Sequence, residues 1–484
     1  MRDFPTSSAT DWKSTFRSCL NSISAVFIGL VLFTVEAYSE ELNASSAVQS
    51  RPNVILILAD DMALGDLSCL NENRTKTPNL DRLKEESVWF SQAYSGSPVC
   101  ASARAALLTG RYPHRTGVVT LNMVKYPELT RLRLDETTMA DVFRQSGYRT
   151  ALIGKWHLGL GSEYHPLNRG FDVFEGFSGH LYVSDYFNYK LQIQNETEHF
   201  EDRYLTDDFT DRAIDFVTRN AERPFFLHLA HYAPHRPLGA PEEKIEYFTK
   251  KGFDQQTATV YAMIEVLDDG IGRLLDQLDT LGIRDQTLIL FASDNGPDPV
   301  IAERFNLNLR GTKYMVSEGG IHVPLMVNWE KTFAPHVIDR PVHFTDVLPT
   351  LIEVCHLDDT PTNRLDGVSF ASSLTSETRA ERNSPMFWQW NRTKPRYSHN
   401  ASIREGNWKL VRPFVTRNVP KRDSSEPAEL FNLEKDPFES NDLSASEPEL
   451  TKRLLQQLQD WSDDVESSRT RPQTDSSKSS LPQN

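Results

Sequence analysis

The chain has 484 residues, enough for one large domain and a smaller one, since single hydrophobic cores stop growing at roughly 250 to 300 residues. Charged residues make up 25% of it and hydrophobic residues 39%, which excludes a fibrous or wholly disordered protein and leaves apolar material for a core. The formal net charge of -15 argues against nucleic acid as the main partner, because phosphate binding needs a basic face; an anionic substrate would need local positive charge.

Residues 1–39 read as a signal peptide. Lys13 and Arg17 precede an apolar run from Ile23 to Val35, followed by the small residues Ala37 and Ser39. The run is short of the about 20 apolar residues of a membrane span, so the expectation is a secreted or periplasmic protein without stable membrane insertion, an uncleaved signal anchor being the alternative. Residues 40–50 form a polar linker. Outside the signal, the cysteines are Cys69, Cys100 and Cys355. One pair with one special thiol, or three unpaired thiols, both fit.

The run VILILA (Val54 to Ala59) is continuously apolar and ends in Asp60 and Asp61, as a parallel strand buried on both faces would. The pattern returns at Phe225 to His231 and at Thr287 to Asp294, with an amphipathic helical stretch at Val260 to Leu281 between them. This alternation predicts an α/β sheet covered on both faces, with a polar crevice where the strands' carboxyl ends converge. From about Pro385 the texture changes to short aromatic-rich runs and then a helix-like stretch at Glu449 to Trp461, predicting a small antiparallel sheet with one helix. The expected division is a catalytic α/β domain over 51–380, an α+β subdomain over 381–465 and a disordered tail over 466–484.

The segment SPVCASARAALLTGRYPHRTG, from Ser97, places Cys100 just before a run that reads as a helix from Ala103 to Leu108, and a helix amino terminus favours bound anions. Taken bare, it fits equally a buried small residue near a helix cap. CASAR followed by LLTGR resembles the signature of the type I sulfatases, in which the Cys becomes formylglycine. In the same order come ILADDMALGD at Ile57, TPNLDRL at Thr77, GKWHLG at Gly154, NRGFD at Asn168, APHRP at Ala233, SDNG at Ser293 and RGTKYMVSEGG at Arg310, with GNWKLV and ELFNLEKDPFESNDL near the end. The similarity covers roughly residues 51 to 445, too many ordered motifs for coincidence. One departure stands out: the family's usual core is Cys, any residue, Pro, Ser, Arg, whereas Ser102 and Ala103 occupy the third and fourth positions here. That bears on which maturation enzyme acts.

The resemblance implies an alkaline-phosphatase-like mixed sheet sandwiched by helices. It also implies a sulfated small molecule or carbohydrate as substrate and a formylglycine-generating maturation enzyme as partner. Asp60, Asp61, Asp294 and Asn295 offer only oxygen ligands near strand ends, which suits a hard cation, and crowded carboxylates resist joint ionisation without one. The family points to one calcium ion, with the side chain made from Cys100 completing its ligands. Arg104 and Lys155 are then expected to hold the hydrated aldehyde, Lys313 to grip the sulfate, His235 to protonate the leaving oxygen and His157 to act as base. Each of these residues alone has a structural alternative: a helix cap, a solvated lysine, a satisfied core imidazole.

Two other functions fit the same motifs. One is a phosphonate or phosphate ester hydrolase of the same superfamily; the other is a non-catalytic binder of sulfated glycans whose Cys100 is never matured. Trp388 and Trp390 are compatible with stacking on sugar faces, or with the core. Sequons at Asn43, Asn73, Asn195, Asn391 and Asn400 bear on a glycosylating host.

Overall fold

In the computed structural model of the chain, residues 51–179, 183–301, 303–358, 360–375, 382–414 and 425–472 are described. The expected signal peptide, the linker and the last residues of the expected tail lie outside them. The strands are β1 (Asn53–Ala59), β2 (Val88–Phe90), β3 (Ala93–Tyr94), β4 (Arg149–Lys155), β5 (Val173–Phe177), β6 (Tyr189–Ile193), β7 (Glu196–Phe200), β8 (Phe225–Ala230), β9 (Thr287–Ser293), β10 (Leu325–Asn328), β11 (His336–Ile338), β12 (Val342–His343), β13 (Met386–Gln389), β14 (Ala401–Glu405), β15 (Trp408–Arg412) and β16 (Glu429–Asn432). The longer helices are α1 (Pro78–Glu85), α2 (Cys100–Thr109), α3 (Met139–Gln145), α4 (Leu205–Asn220), α5 (Glu242–Lys250), α6 (Gln255–Thr280), α7 (Val347–Val354) and α8 (Pro448–Thr470).

Among the described residues, ten strands form one mixed sheet in the order β11-β2-β10-β9-β1-β8-β4-β5-β6-β7. Its middle, from β9 to β5, is parallel; β10 and β6 add antiparallel neighbours on the two flanks. Successive side chains of a strand point to opposite faces, and along β1 they enter two different cores. Ile55, Ile57 and Ala59 pack with residues of α1, α4, α5 and α6. Val54, Leu56 and Leu58 pack with residues of α2, α3 and α7. Helices therefore cover both faces, which is why β1, β8 and β9 are apolar at most positions, with His228 buried inside β8. At the edge, β7 is polar and mostly exposed, a composition that discourages further strand pairing.

Strands β13 to β16 form a second, antiparallel sheet in sequence order. Ala401, Ile403, Leu410 and Leu430 pack on Leu454, Leu458, Trp461 and Val465 of α8. Met386, Trp388, Val411 and Phe431 pack on Tyr94, Val316 and Ile321, so the small sheet is buried on both faces. Helix α8 starts with Pro448 in its first turn, where the missing N–H costs nothing. It runs to Thr470, past Trp461 and into the start of the expected tail. The physical reason is a continued buried stripe: Val465 still faces the core, and Glu466 accepts from Tyr397 and pairs with Arg469.

Trp388 and Trp390 belong to the core. Trp388 donates Nε1–H to Ser95 O at 2.7 Å, and Trp390 packs on Val99 and Tyr314. Two sequons are closed as well. Asn391 donates Nδ2–H to Lys394 O at 2.8 Å, and Asn400 donates to Tyr314 O at 2.8 Å and Trp390 O at 2.6 Å, both from buried positions. Among the described residues no helix is long and apolar enough to cross a membrane. Cys69, Cys100 and Cys355 are all free thiols.

Candidate active site

The residues after β1, β8 and β9 meet because the three strands are adjacent and parallel, so their carboxyl ends share one rim. Backbone bonds tie the three loops together: Asp60 N donates to Ala233 O at 3.1 Å and Asp294 N to Ala59 O at 3.1 Å. Asp61 sits at φ 67, a left-handed conformation that Asp tolerates better than most residues, and its N–H reaches Asp294 Oδ1 at 3.2 Å. On the other face of the sheet, α2 delivers Cys100 and, one turn later, Arg104. Cys100 is itself the first helical residue, after an extended Val99, and is 2% exposed.

Opposite charges close on one another in this rim. Arg104 donates Nε–H and Nη2–H to Asp294 Oδ2 at 3.0 and 2.7 Å, lies 3.5 Å from Asp60 Oδ2, and donates Nη1–H to Lys155 O at 2.9 Å. Lys155, at the end of β4, donates to Asp60 Oδ2 and lies 5.2 Å above the Tyr232 ring. Lys313 donates to both oxygens of Asp61, at 2.6 and 2.7 Å, and Asn295 donates Nδ2–H to Asp61 Oδ1 at 2.7 Å. Ligand atoms of Asp60, Cys100 and His235 lie within 4.8 Å of one another, as do those of Asp60, Asp61 and Asp294. Of the residues singled out from the sequence, Cys100, Arg104, Lys155, His235, Lys313, Asp60, Asp61, Asp294 and Asn295 thus meet in one place. His157 sits at φ 62, two residues beyond Lys155, with Nε2 3.1 Å from Leu121 O.

Burial by itself raises the pKa of Asp60, but Lys155, with His235, Arg104 and Lys313, outweighs it and holds this carboxyl well below the usual range. Asp61 is also lowered, burial being overcome chiefly by Lys313. Asp294 goes the other way, to about 7, because burial and the Asp60 charge exceed the pull of Arg104. Two oxygens in the cluster, Asp60 Oδ1 and Asn295 Oδ1, are buried without a hydrogen-bond partner. Such atoms are costly unless something fills them, and an all-oxygen donor set beside crowded carboxylates fits a hard divalent cation. Three carboxylates already face three cationic side chains, so a further cation is also what would give the rim net attraction for an anionic ester.

His235 is set by residues that the sequence did not announce. Its Nδ1 lies 2.6 Å from Arg236 O; a carbonyl only accepts, so Nδ1 carries the hydrogen and Nε2 faces the cluster, 3.7 Å from Asp61 Oδ2. The Tyr232 ring lies against it at 4.7 Å between centroids, and Tyr186 donates its hydroxyl to His235 O at 2.9 Å. Tyr232 is three residues before His235 and lies beside its motif; Tyr186 comes from a distant loop and carried no signal. Burial, aided by Lys313, lowers the His235 pKa to about 4.

The chain is similar to known proteins over most of its length. The family model described as Sulfatase matches residues 52–357, and that of N-sulphoglucosamine sulphohydrolase, C-terminal, matches 311–464. Human N-acetylgalactosamine-6-sulfatase is 29% identical over 458 residues, 85% of this chain and 85% of its own length. Mouse arylsulfatase J is 30% identical over 477 residues, 87% of this chain and 77% of its own. Among solved structures, Ps i-CgsB in complex with k-i-k-neocarrahexaose superposes with a TM-score of 0.74 at 28% identity, covering 88% of this chain and 96% of that one.

Proposed function

The chain belongs to the sulfatase family, and we propose that this sulfuric ester hydrolase releases sulfate from a sulfated carbohydrate, using an aldehyde made from Cys100 and one calcium ion. The observation that carries the reading is the meeting of Cys100 with Asp60, Asp61, Asp294, Arg104, Lys155, Lys313 and His235 on one rim. Burial pushes the Cys100 thiol up, against the pull of Lys155 and Lys313, so the unmodified side chain is a poor nucleophile at neutral pH. If a maturation enzyme oxidised it to formylglycine and it were hydrated, position 100 would supply one hydroxyl as nucleophile and a second whose loss of a proton would expel sulfate and restore the aldehyde, and a calcium ion held by the carboxylates would supply positive charge to the site.

The chain's own residues do the rest. Asp60, Asp61, Asp294 and Asn295 are the set that would hold the cation. Arg104 and Lys155, braced on Asp294 and Asp60, fix position 100; Lys313, braced on Asp61, meets the sulfate. Burial keeps His235 neutral in the free site, and an anionic ester arriving beside Nε2 favours its protonation, so the ring gains a proton with substrate and delivers it to the leaving oxygen. For His157 the proposed base is Nδ1, because Nε2 donates to Leu121 O.

A carbohydrate substrate is supported by relatives at 28 to 29% identity, one named for N-acetylgalactosamine and one solved with a neocarrahexaose. Export is supported by the charged and apolar pattern of residues 1–39. The test is Cys100→Ser. A plain alcohol lacks the second hydroxyl, so the variant should take up one sulfate and stop, with sulfated Ser detected by intact mass spectrometry. Continued turnover by the Ser variant would reject the mechanism.

A further inference from the structure

The structure points to a residue that reads the rest of the substrate: we infer that Arg236 binds a second anionic group, a carboxylate or a further sulfate, on the leaving-group side of the ester. The inference rests on the sulfatase reading of the rim. Arg236 follows His235, whose Nε2 faces the cluster where the leaving oxygen would stand. Its backbone is pinned twice through one carbonyl, by the Tyr232 hydroxyl at 2.6 Å and by His235 Nδ1 at 2.6 Å. Its side chain crosses from the loop after β8 to the loop after β9, where Nε lies 2.9 Å from Asp298 Oδ2. β1 lies between β8 and β9, so the two loops that this pair bridges flank the strand leading into Asp60 and Asp61.

Arg104, Lys155 and Lys313 are buried against carboxylates, at 2% exposure or less, whereas the Arg236 side chain is 43% exposed while its Asp298 partner is buried. The Arg236–Asp298 ion pair is closest at Nε, and Asp298 Oδ2 accepts no hydrogen bond in it, so the guanidinium is held by charge rather than by a directed bond. A half-exposed guanidinium approached at Nε can turn Nη1 and Nη2 outward as a planar fork that makes two hydrogen bonds to one oxyanion. The neighbouring His235 puts that fork beside the part of the substrate that leaves. A carboxylate or a second sulfate there would be bound; a neutral group would find a solvated cation and gain nothing.

The test compares kcat/KM for sulfate release from three sulfated disaccharides that differ in the leaving sugar: neutral, carboxylated, or carrying a second sulfate. The matured wild type should prefer at least one anionic substrate over the neutral one by roughly tenfold to a hundredfold, the effect of a charge-assisted hydrogen-bond pair. Arg236→Gln should erase that ratio through KM, and Arg236→Lys should restore only part of it. The anionic substrate showing the larger drop identifies the group that is read. Absence of any preference in the wild type, or a ratio that stays within about twofold in the Gln variant, overturns the assignment. A wild type that releases sulfate from none of the three, nor from an aryl sulfate, overturns the sulfatase reading itself.

Discussion

The carboxylates of the rim are unequal, and the inequality says what they need. Asp60 and Asp61 each have a lysine and remain ionised, whereas Asp294, facing Arg104 but crowded by Asp60, is pushed to about 7 and would be partly protonated near neutrality. A divalent cation on Asp60 Oδ1 and Asn295 Oδ1 would relieve both the crowding and the two unsatisfied oxygens. Removing divalent cations with a chelator should therefore abolish sulfate release and lower the thermal midpoint by about 3 °C or more, since a tightly bound ion stabilises by a few kcal/mol. Calcium should restore both quantities better than magnesium, which demands a tighter octahedral shell. An unchanged midpoint and rate after exhaustive chelation would remove the cation from the proposal.

At the level of elements, the end of β4 shows how closely backbone must approach to place one lysine. Gly154 pairs with Gly176 of β5 and Ala230 of β8 and adopts φ +113, a conformation open mainly to glycine. A Cβ there would lie 1.9 Å from Ala230 O, and one at Gly176 would lie 1.9 Å from Gly154 O. Either collision displaces the next residue, Lys155, whose carbonyl takes Arg104 and whose amine holds Asp60. Gly154→Ala is expected to destabilise the protein by more than about 1 kcal/mol. It should also cut kcat on the order of a hundredfold, because sub-ångström placement is lost. Circular-dichroism melting and steady-state sulfate release measure the two effects; an Ala variant equal to wild type in both would show that the strand can yield.

Across the whole molecule, the small C-terminal sheet braces the rim. Lys409 of β15 is fully buried between Glu318 at 2.7 Å and Glu439 at 2.9 Å, and Glu439 accepts the Glu318 N–H at 2.8 Å. Glu318 lies five residues after Lys313, so the second sheet anchors the loop that carries the Asp61 partner Lys313. A second tie is His114, whose Nε2 meets Gln389 Oε1 of β13 at 2.6 Å, with burial lowering its pKa to about 4. His231, buried under α4 against Phe209, is lowered to about 3 by burial. The unfolded chain protonates such rings near the ordinary imidazole value of 6.5 while the native state does not, so the unfolded state binds more protons in that window. Stability should accordingly be full above pH 6.5 and fall as pH drops from 6.5 toward 4, by on the order of 3 kcal/mol for each ring. His114→Gln should flatten the fall in melting temperature over that range; an identical slope would exclude His114 as a contributor.

The strands β1, β8 and β9, the crevice at their carboxyl ends and most members of the cluster were legible in the sequence. A strand covered on both faces is apolar at most of its positions, and the motifs that follow each strand are short enough to be read locally. The helix at Cys100 was legible too, although it begins at Cys100 itself. The partners were another matter: Lys155 finds Asp60 across 95 residues of chain and Lys313 finds Asp61 across 252, and no local pattern ranks such pairings. Tertiary packing alone decided that Trp388 and Trp390 fill the core, that Asn391 and Asn400 are sealed by hydrogen bonds, that α8 continues to Thr470, and that Tyr186 and Tyr232 aim His235. Composition and periodicity report what each residue prefers beside its chain neighbours, whereas burial and charge pairing depend on which distant segments the fold brings within a few ångströms.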